Sequence, residues 1–301
     1  MPASQLHLKS VFPLLCVGLV GTSWQSLQET AFRHVLGRRC FWWAPTFGDD
    51  GSVAPMEPGP WAQCIRCDQN RGVAAALNAG LRAARHVGAT HVVTFDQDSV
   101  LDEQFLPDLV AAWGRASERG FVPGVVAPRD PGPVRYRGTE GRGFLSTTEV
   151  IQSGAMFSLA QLAEIGDFDE RLVIDSVDSQ ACLRLGERGY NSVCLDLPMG
   201  HRIGDAIGFE VGSRRVLLTR HPPQRHYYMN RNRLLLVREH ALRRPGWAMA
   251  TVRKTLVAAA LTATLDDDRA GKVSAIARGV RDALRGRAGR ISVRRDRSPR
   301  P

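Results

Sequence analysis

The clearest periodicity lies in residues 72–85, where apolar positions recur at helical spacing in an alanine-rich stretch. This predicts a helix that Gly88 ends. Residues 91–95 are then a run of β-formers, followed by a second helical pattern over 102–119 that stops at Gly120. Residues 122–128 predict a short buried strand, and 130–143 a loop rich in Gly, Pro and Arg. A strand over 150–158 with Gly154 inside it precedes a short helix at 159–165, closed by Gly166. A helix over 178–188 with Gly189 as its stop, then a strand over 190–195, continue the alternation. Strands and helices alternating at these lengths predict βαβ units in an α/β, mostly parallel sheet flanked by helices.

The two ends of the chain read differently. The apolar run 11–20 fits a buried strand weakened by Pro13 and Gly18, with a helix over 24–36 and a short strand over 41–43. Residues 48–52 read as a turn and 56–61 as loop. Toward the other end, 226–240 predicts a basic helix, and 247–265 an apolar helix interrupted by Arg253 and Lys254. An Arg-rich tail from Arg278 is expected to end in disorder.

Composition narrows the partners. The 301 residues are 44% hydrophobic, enough for a full core, and carry a formal net charge of +10, which favours an anionic partner. The six cysteines are scattered, and Cys64–Cys67 is a lone CxxC without a second pair, so a reducing cytoplasm fits best. No stretch has the length of a transmembrane helix. Residues 11–20 resemble a signal-peptide core, but Trp24 and Gln25 stand where a small-residue cleavage site belongs, which argues against secretion.

The first candidate chemistry is Asp96-Gln97-Asp98. Alternate residues of a strand share a face, so both carboxylates can converge at its carboxyl end, where ligands bind in open α/β sheets. Two hard oxygen ligands suit Mg²⁺ or Mn²⁺ carried on a diphosphate. An Asp-rich turn in which Asp98-Ser99 caps the next element explains the same residues equally well. Gly154 within a strand marks close backbone approach by a ligand.

Asn70-Arg71-Gly72 through Gly80, then Thr94-Phe95-Asp96-Gln97-Asp98-Ser99, resembles family 2 glycosyltransferases of the GT-A (Rossmann-like) fold, and most of all their rhamnosyltransferase-like branch. Ser153-Gly154-Ala155-Met156, Gly166 through Glu170, and Ile174-Asp175-Ser176-Val177-Asp178 with Arg184 extend the match in order. His201 through Asp205 and Tyr227 through Asn232 complete it, over about residues 68 to 240.

The resemblance implies inverting transfer of a sugar, L-rhamnose from dTDP-rhamnose first among them, to a hydroxyl of a cell-surface polysaccharide or polyprenyl-linked glycan. On that reading Asp98 binds the divalent cation, and Asp96 positions the cation or the ribose. His201 completes the metal shell or touches the diphosphate. Asp178 matches the base that deprotonates the acceptor, with Asp175 in reserve; a helix N-cap is the plain alternative for Asp178. Asp50, Asn70 and Arg71 match nucleotide-contacting positions, although a helix cap accounts for Asn70 as well. Ser153 and Gly154 would line the sugar or acceptor pocket. The implied organisation is a divergent segment 1–48, a GT-A domain 49–240, and a basic helical extension with tail 241–301.

Departures from the family pattern bear on the nucleotide pocket. No Thr-Tyr-Asn-like segment stands in residues 1–40, Phe47-Gly48 replaces the usual β-branched strand before Asp50, and Gln180 stands where the branch commonly has an acid. Two other classes of function therefore stand beside the enzyme: a catalytically impaired relative, and a basic nucleic-acid binder. No recognised nucleic-acid module supports the latter, so no nucleic acid is expected. The basic C-terminal helices suit peripheral contact with the inner face of the plasma membrane, or ordinary packing.

Overall fold

Nine of the fourteen residues of α1 (Val73–His86) are buried, most of them alanines that let the helix lie close against its neighbours. The structure is a computed structural model, described over residues 14–19, 46–49, 63–96, 99, 104–129, 136–138, 143–197, 206–211, 214–219 and 221–291. Contacts divide the chain into two units: Met1–Asp169 with Val177–Ile207, and Glu170–Ser176 with Gly208–Pro301.

The first unit is built on nine strands: β1 (Leu14–Leu19), β2 (Thr46–Asp49), β3 (Gln63–Arg66), β4 (His91–Phe95), β5 (Pro123–Pro128), β6 (Tyr136–Gly138), β7 (Leu145–Thr147), β8 (Ala155–Ser158) and β9 (Asn191–Leu195). Their order across the sheet is β3-β2-β1-β4-β8-β5-β9-β7-β6. β1 pairs in parallel with both β2 and β4, and β2 with β3. β8 runs antiparallel to both β4 and β5, and β7 antiparallel to β9 and β6; every other strand points one way. The expected α/β sheet, parallel in most of its strands, is therefore present. The chain moves outward from β1 through β2 to β3, then returns to place β4 on the other side of β1. In open α/β sheets such a reversal of strand order marks where ligands bind, beyond the carboxyl ends of the strands.

All five residues of β4 are buried, as a strand covered on both faces requires. On one side Val93 and Phe95 pack with Phe105, Leu109 and Trp113 of α2 (Phe105–Glu118). The His91 ring meets the edge of Trp113 at 4.7 Å. The short α3 (Leu159–Glu164) is capped by the Ser158 hydroxyl, which accepts from the Gln161 amide. α4 (Val177–Glu187) buries Gln180, Ala181, Cys182, Leu183 and Leu185. Burial pushes the Cys182 thiol up to about 12, so it stays protonated and is no nucleophile near neutral pH.

Two sequence motifs meet through α1. Asn78 donates to the Phe168 carbonyl at 2.9 Å and accepts from the Phe168 amide at 3.1 Å. Two turns later, Arg85 forks both Asp167 oxygens at 2.7 and 2.6 Å, and these bonds raise the guanidinium pKa further. Asn78 and Asp167 are thus architectural parts of the family resemblance.

The second unit takes up β10 (Ala206–Val211) from Gly208 onward, its hairpin partner β11 (Arg214–Thr219), then α5 (Pro223–His240), α6 (Pro245–Leu265) and α7 (Arg269–Leu284). Tyr227, Tyr228, Val173 and Ala275 form its core, with Ile174 and Ile291 packed against them. Helix α7 comes so close to α5 that a Cβ at Gly279 would lie 2.5 Å from the Tyr227 carbonyl oxygen.

Several local expectations are corrected. Gly48 and Asp49, read as the start of a turn, belong to β2, because pairing on both edges outweighs their turn composition. β3 was not anticipated from the sequence. Gly154 sits in a turn before β8, not inside a strand. The segment 130–143 is not all loop, since Tyr136–Gly138 pairs with Leu145–Thr147. Arg278 and Arg281 belong to α7, not to a disordered tail. The expected elements at 24–36, 41–43 and 56–61 lie outside the described residues.

Candidate active site

Asp96 follows directly on β4, at its carboxyl end, next to β1 where the strand order reverses. Its Oδ1 accepts from the Gln152 side-chain amide at 2.6 Å, and its own backbone amide donates to Ser153 Oγ at 3.4 Å. The buried Ser99 hydroxyl bonds to the same Ser153 oxygen, and the Ser99 amide donates back to the Asp96 carbonyl at 3.1 Å. Thr94 Oγ1 donates to the Gln152 carbonyl at 2.5 Å, which ties the turn 152–154 to the end of β4. Gly154 has a φ of 75°, the left-handed region open to glycine, and its amide reaches the Thr94 carbonyl at 2.7 Å. Asp96, Ser153 and Gly154, all expected at the site, are therefore brought together, with one carboxylate fixed by its neighbours.

Asp178 lies in the first turn of α4, half-buried, where its Oδ1 accepts from the Ser179 amide at 2.8 Å. The helix begins at Val177, so Asp178 is its second residue and not its N-cap. A carboxylate there gains from the helix dipole. Asn70 and Arg71 are exposed on the approach to α1, whose N-cap position is Gly72. Asp50, Asp98 and His201 lie outside the described residues. Among the described residues no group of three or more His, Cys, Asp or Glu could hold a metal ion.

Asp175 belongs to the second unit, in a turn of unusual backbone. Val173, Asp175 and Ser176 have φ of 68°, 63° and 64°, and a β-branched residue there is an outlier. The turn is held from α5. Asn232 Nδ2 donates to the carbonyls of Leu172, Ile174 and Asp175 at 2.8, 2.7 and 2.9 Å. Arg231 donates to the carbonyls of Arg171 and Leu172, and its Nε to Asn232 Oδ1 at 2.9 Å. Its guanidinium sits 4.9 Å from the Tyr228 ring centre and 5.4 Å from that of Tyr227. Arg225 pairs with Asp175 Oδ1 at 3.2 Å, while Oδ2 is buried without a protein partner. Burial lowers the pKa of His221 and His226 in the same unit, so both favour the neutral form.

Sequence reasoning missed Gln152, Ser99, Arg225, Arg231 and Asn232 as individual contributors. The Arg231-Asn232 pair did carry a signal, since it closes the Tyr227–Asn232 motif. Gln152 carried none beyond standing next to Ser153.

Residues 49–169 match the model of the glycosyl transferase family 2. The chain is 31% identical over 186 residues to the dTDP-rhamnosyl transferase RfbF of Shigella flexneri, an alignment covering 57% of this chain and 62% of that relative. The chain thus spans under two thirds of that relative's length. Among solved structures, GalNAc-T7 with UDP, GalNAc and Mn²⁺ aligns over 62% of this chain and 43% of its own, at 12% identity and a TM-score of 0.47. S. aureus TarS 1–349 aligns over 91% and 72%, at 14% identity and a TM-score of 0.41. Residues 49–169 are thus similar to the glycosyl transferase family 2, and they lie on an α/β sheet parallel in most of its strands.

Proposed function

We propose that the protein is an inverting glycosyltransferase that moves L-rhamnose from dTDP-rhamnose to a hydroxyl of a cell-surface polysaccharide or lipid-linked glycan. The observation that carries this reading is the fixed Asp96 carboxylate at the end of β4, beside the reversal of strand order, within the family 2 segment. The sugar is taken from the named activity of the Shigella relative.

Asp96 is a hard oxygen donor with one oxygen already oriented, which fits a Mg²⁺- or Mn²⁺-diphosphate. Asp98 and His201 complete the proposed set. The cation would neutralise charge developing on the departing diphosphate. The chain's own residues do the rest. Gln152 and Ser153 hold Asp96 in place. Asp50, Asn70 and Arg71 contact the nucleotide, and Ser153 and Gly154 line the sugar pocket. Asp178 accepts the proton of the acceptor hydroxyl as that oxygen attacks from the face opposite the diphosphate. Asp175, tied to Arg225, is the less favoured base, because one of its oxygens already serves an ion pair.

No helix among the described residues is long and apolar enough to cross a membrane. Helix α6 buries only Ala248, Thr255 and Thr262, and leaves Met249, Leu256 and Val257 exposed beside Arg253 and Lys254. That pattern supports peripheral contact with an anionic leaflet, where a lipid-linked acceptor would be met, and so a place at the cytoplasmic face. Trp247, by contrast, packs edge-on against the buried His240 at 6.3 Å. We take the working organisation to be a segment 1–48, a transferase domain 49–240 and a basic helical extension 241–301.

The test is a donor panel of dTDP-rhamnose, UDP-sugars and GDP-sugars, assayed by calorimetry with Mg²⁺ or Mn²⁺ present and then with EDTA. Metal-dependent binding of dTDP-rhamnose in preference to the others is expected. If the protein binds no nucleoside diphosphate with either metal, it is an impaired relative and not a transferase.

A further inference from the structure

We infer that Gln152 is a ligand-binding residue of the donor site, and that its side-chain oxygen accepts a hydrogen bond from a hydroxyl of the sugar nucleotide. The inference rests on the glycosyltransferase reading and adds to it a contact that the sequence did not suggest.

The argument begins with the direction of the amide. Amide oxygen and nitrogen look alike, and only their partners can assign them. Here the partner is Asp96 Oδ1 at 2.6 Å, and an ionised carboxylate can only accept. The atom facing Asp96 is therefore Nε2, and Oε1 must point elsewhere. Oε1 is buried and has no hydrogen-bond partner in the protein. The residue as a whole is 8% exposed. Its main chain is equally fixed, because the Gln152 carbonyl accepts from Thr94 Oγ1 at 2.5 Å and from the Ala155 amide at 3.0 Å.

A buried acceptor without a donor is costly, and such groups are rare in folded proteins. Nothing local requires this one: a methionine would fill similar space without an orphan oxygen. An amide does two tasks that methionine cannot. It donates to Asp96, and it leaves an acceptor beside that carboxylate at the carboxyl end of β4, where ligands of such sheets bind. A ligand with adjacent donor groups would satisfy it. Sugar and ribose hydroxyls are donors of that kind, and a site built to bond a hydroxyl discriminates against analogues that lack it.

The hydroxyl can come from the nucleoside or from the transferred hexose, and the experiment separates the two. Calorimetric binding of dTDP and of dTDP-rhamnose, with Mn²⁺, is measured for the wild type, for Gln152→Lys and for Gln152→Met. Lysine keeps a donor for Asp96 and removes the acceptor; methionine removes both. Thermal unfolding of each variant confirms that it is folded.

Both variants are expected to bind dTDP-rhamnose about tenfold or more weakly than the wild type. If dTDP alone weakens equally, the nucleoside supplies the hydroxyl; if only dTDP-rhamnose weakens, the hexose does. Wild-type affinity in folded Gln152→Lys would overturn the inference, leaving Gln152 as a mere support for Asp96 and the glycosyltransferase reading intact. Absence of nucleotide binding by the wild-type protein would overturn both.

Discussion

Asn232 and Ile174 are joined by a 2.7 Å hydrogen bond from the Asn232 side-chain amide to the Ile174 carbonyl, the shortest of three that this one nitrogen donates to the turn 172–175. Val173 and Asp175 within it and Ser176 just after it have positive φ, a conformation costing roughly 1 kcal/mol or more at each. The isolated segment would relax, so the bonds from α5 keep it in place. Asn232→Ala leaves three carbonyls without that donor in a site where the asparagine is fully buried. We expect a loss of about 2–4 kcal/mol in chemical denaturation. Asn232→Asp should be no better, because a carboxylate cannot donate. An unchanged denaturation midpoint in both variants would mean that the turn holds itself.

His91 sets an acid limit on the first unit. Burial lowers its pKa to about 4 from the ordinary 6.5. Between pH 6.5 and 4 the unfolded chain therefore binds a proton that the folded chain does not. Stability falls as pH drops through that window, and the contribution is fully present above it. Over the whole window this corresponds to roughly 3 kcal/mol. Urea unfolding at pH 7 and pH 4.5 should show the wild type losing about 2–3 kcal/mol more than His91→Leu. Equal losses would place the acid sensitivity elsewhere.

How much of this was legible in the sequence depended on how local the cause was. Helix α1 follows from alanine propensity and spacing, and α4 ends beside Gly189, whose φ of 90° is the left-handed stop that its place after the helix suggested. β4 was equally plain, because a run of β-formers covered on both faces needs no partner to be recognised. The strands on the outer side of β1 were harder. Thr46–Asp49 and Gln63–Arg66 have neither length nor alternation; the first exists because it pairs in parallel along β1, and the second because it pairs along the first. The site divides the same way. The Asp96 carboxylate could be placed at a strand end from neighbouring residues alone. Its bond to Gln152 spans 56 positions, and Asn232 reaches Ile174 across 58. Neither pairing leaves a mark on local composition.

Glycines give a matched pair of opposite effects. Gly279 on α7 faces the α5 backbone, with the Tyr227 carbonyl oxygen 2.5 Å and the Arg231 amide 3.2 Å from where a Cβ would stand. Backbone cannot swing aside, so Gly279→Ala should force the helices apart and cost about 1–3 kcal/mol or more. Gly114 lies within α2 with nothing within 4 Å of where a Cβ would stand. Gly114→Ala should stabilise by about 0.5–1 kcal/mol, through helix propensity alone. Paired thermal melts decide the matter, and a destabilising Gly114→Ala would contradict the open surface around that residue.

The two proposed roles of carboxylates at the site can be separated by what each variant retains. If Asp98 is the proposed oxygen ligand of the cation that carries the diphosphate, Asp98→Ala should lower metal-dependent donor binding by tenfold or more, and transfer with it. If Asp178 is the proposed base, Asp178→Asn removes only the group that takes the acceptor proton. Donor affinity should stay within about twofold, while turnover falls by about a hundredfold or more. Asparagine keeps the shape and can still contact the α4 first turn, so a folding defect is not expected from the change. Asp175→Asn acts in the other unit, on the ion pair with Arg225. If it alone abolishes turnover while Asp178→Asn transfers normally, the base is Asp175. Single-turnover measurements with donor in excess, alongside calorimetry of donor binding, distinguish these cases without depending on which acceptor limits the steady state.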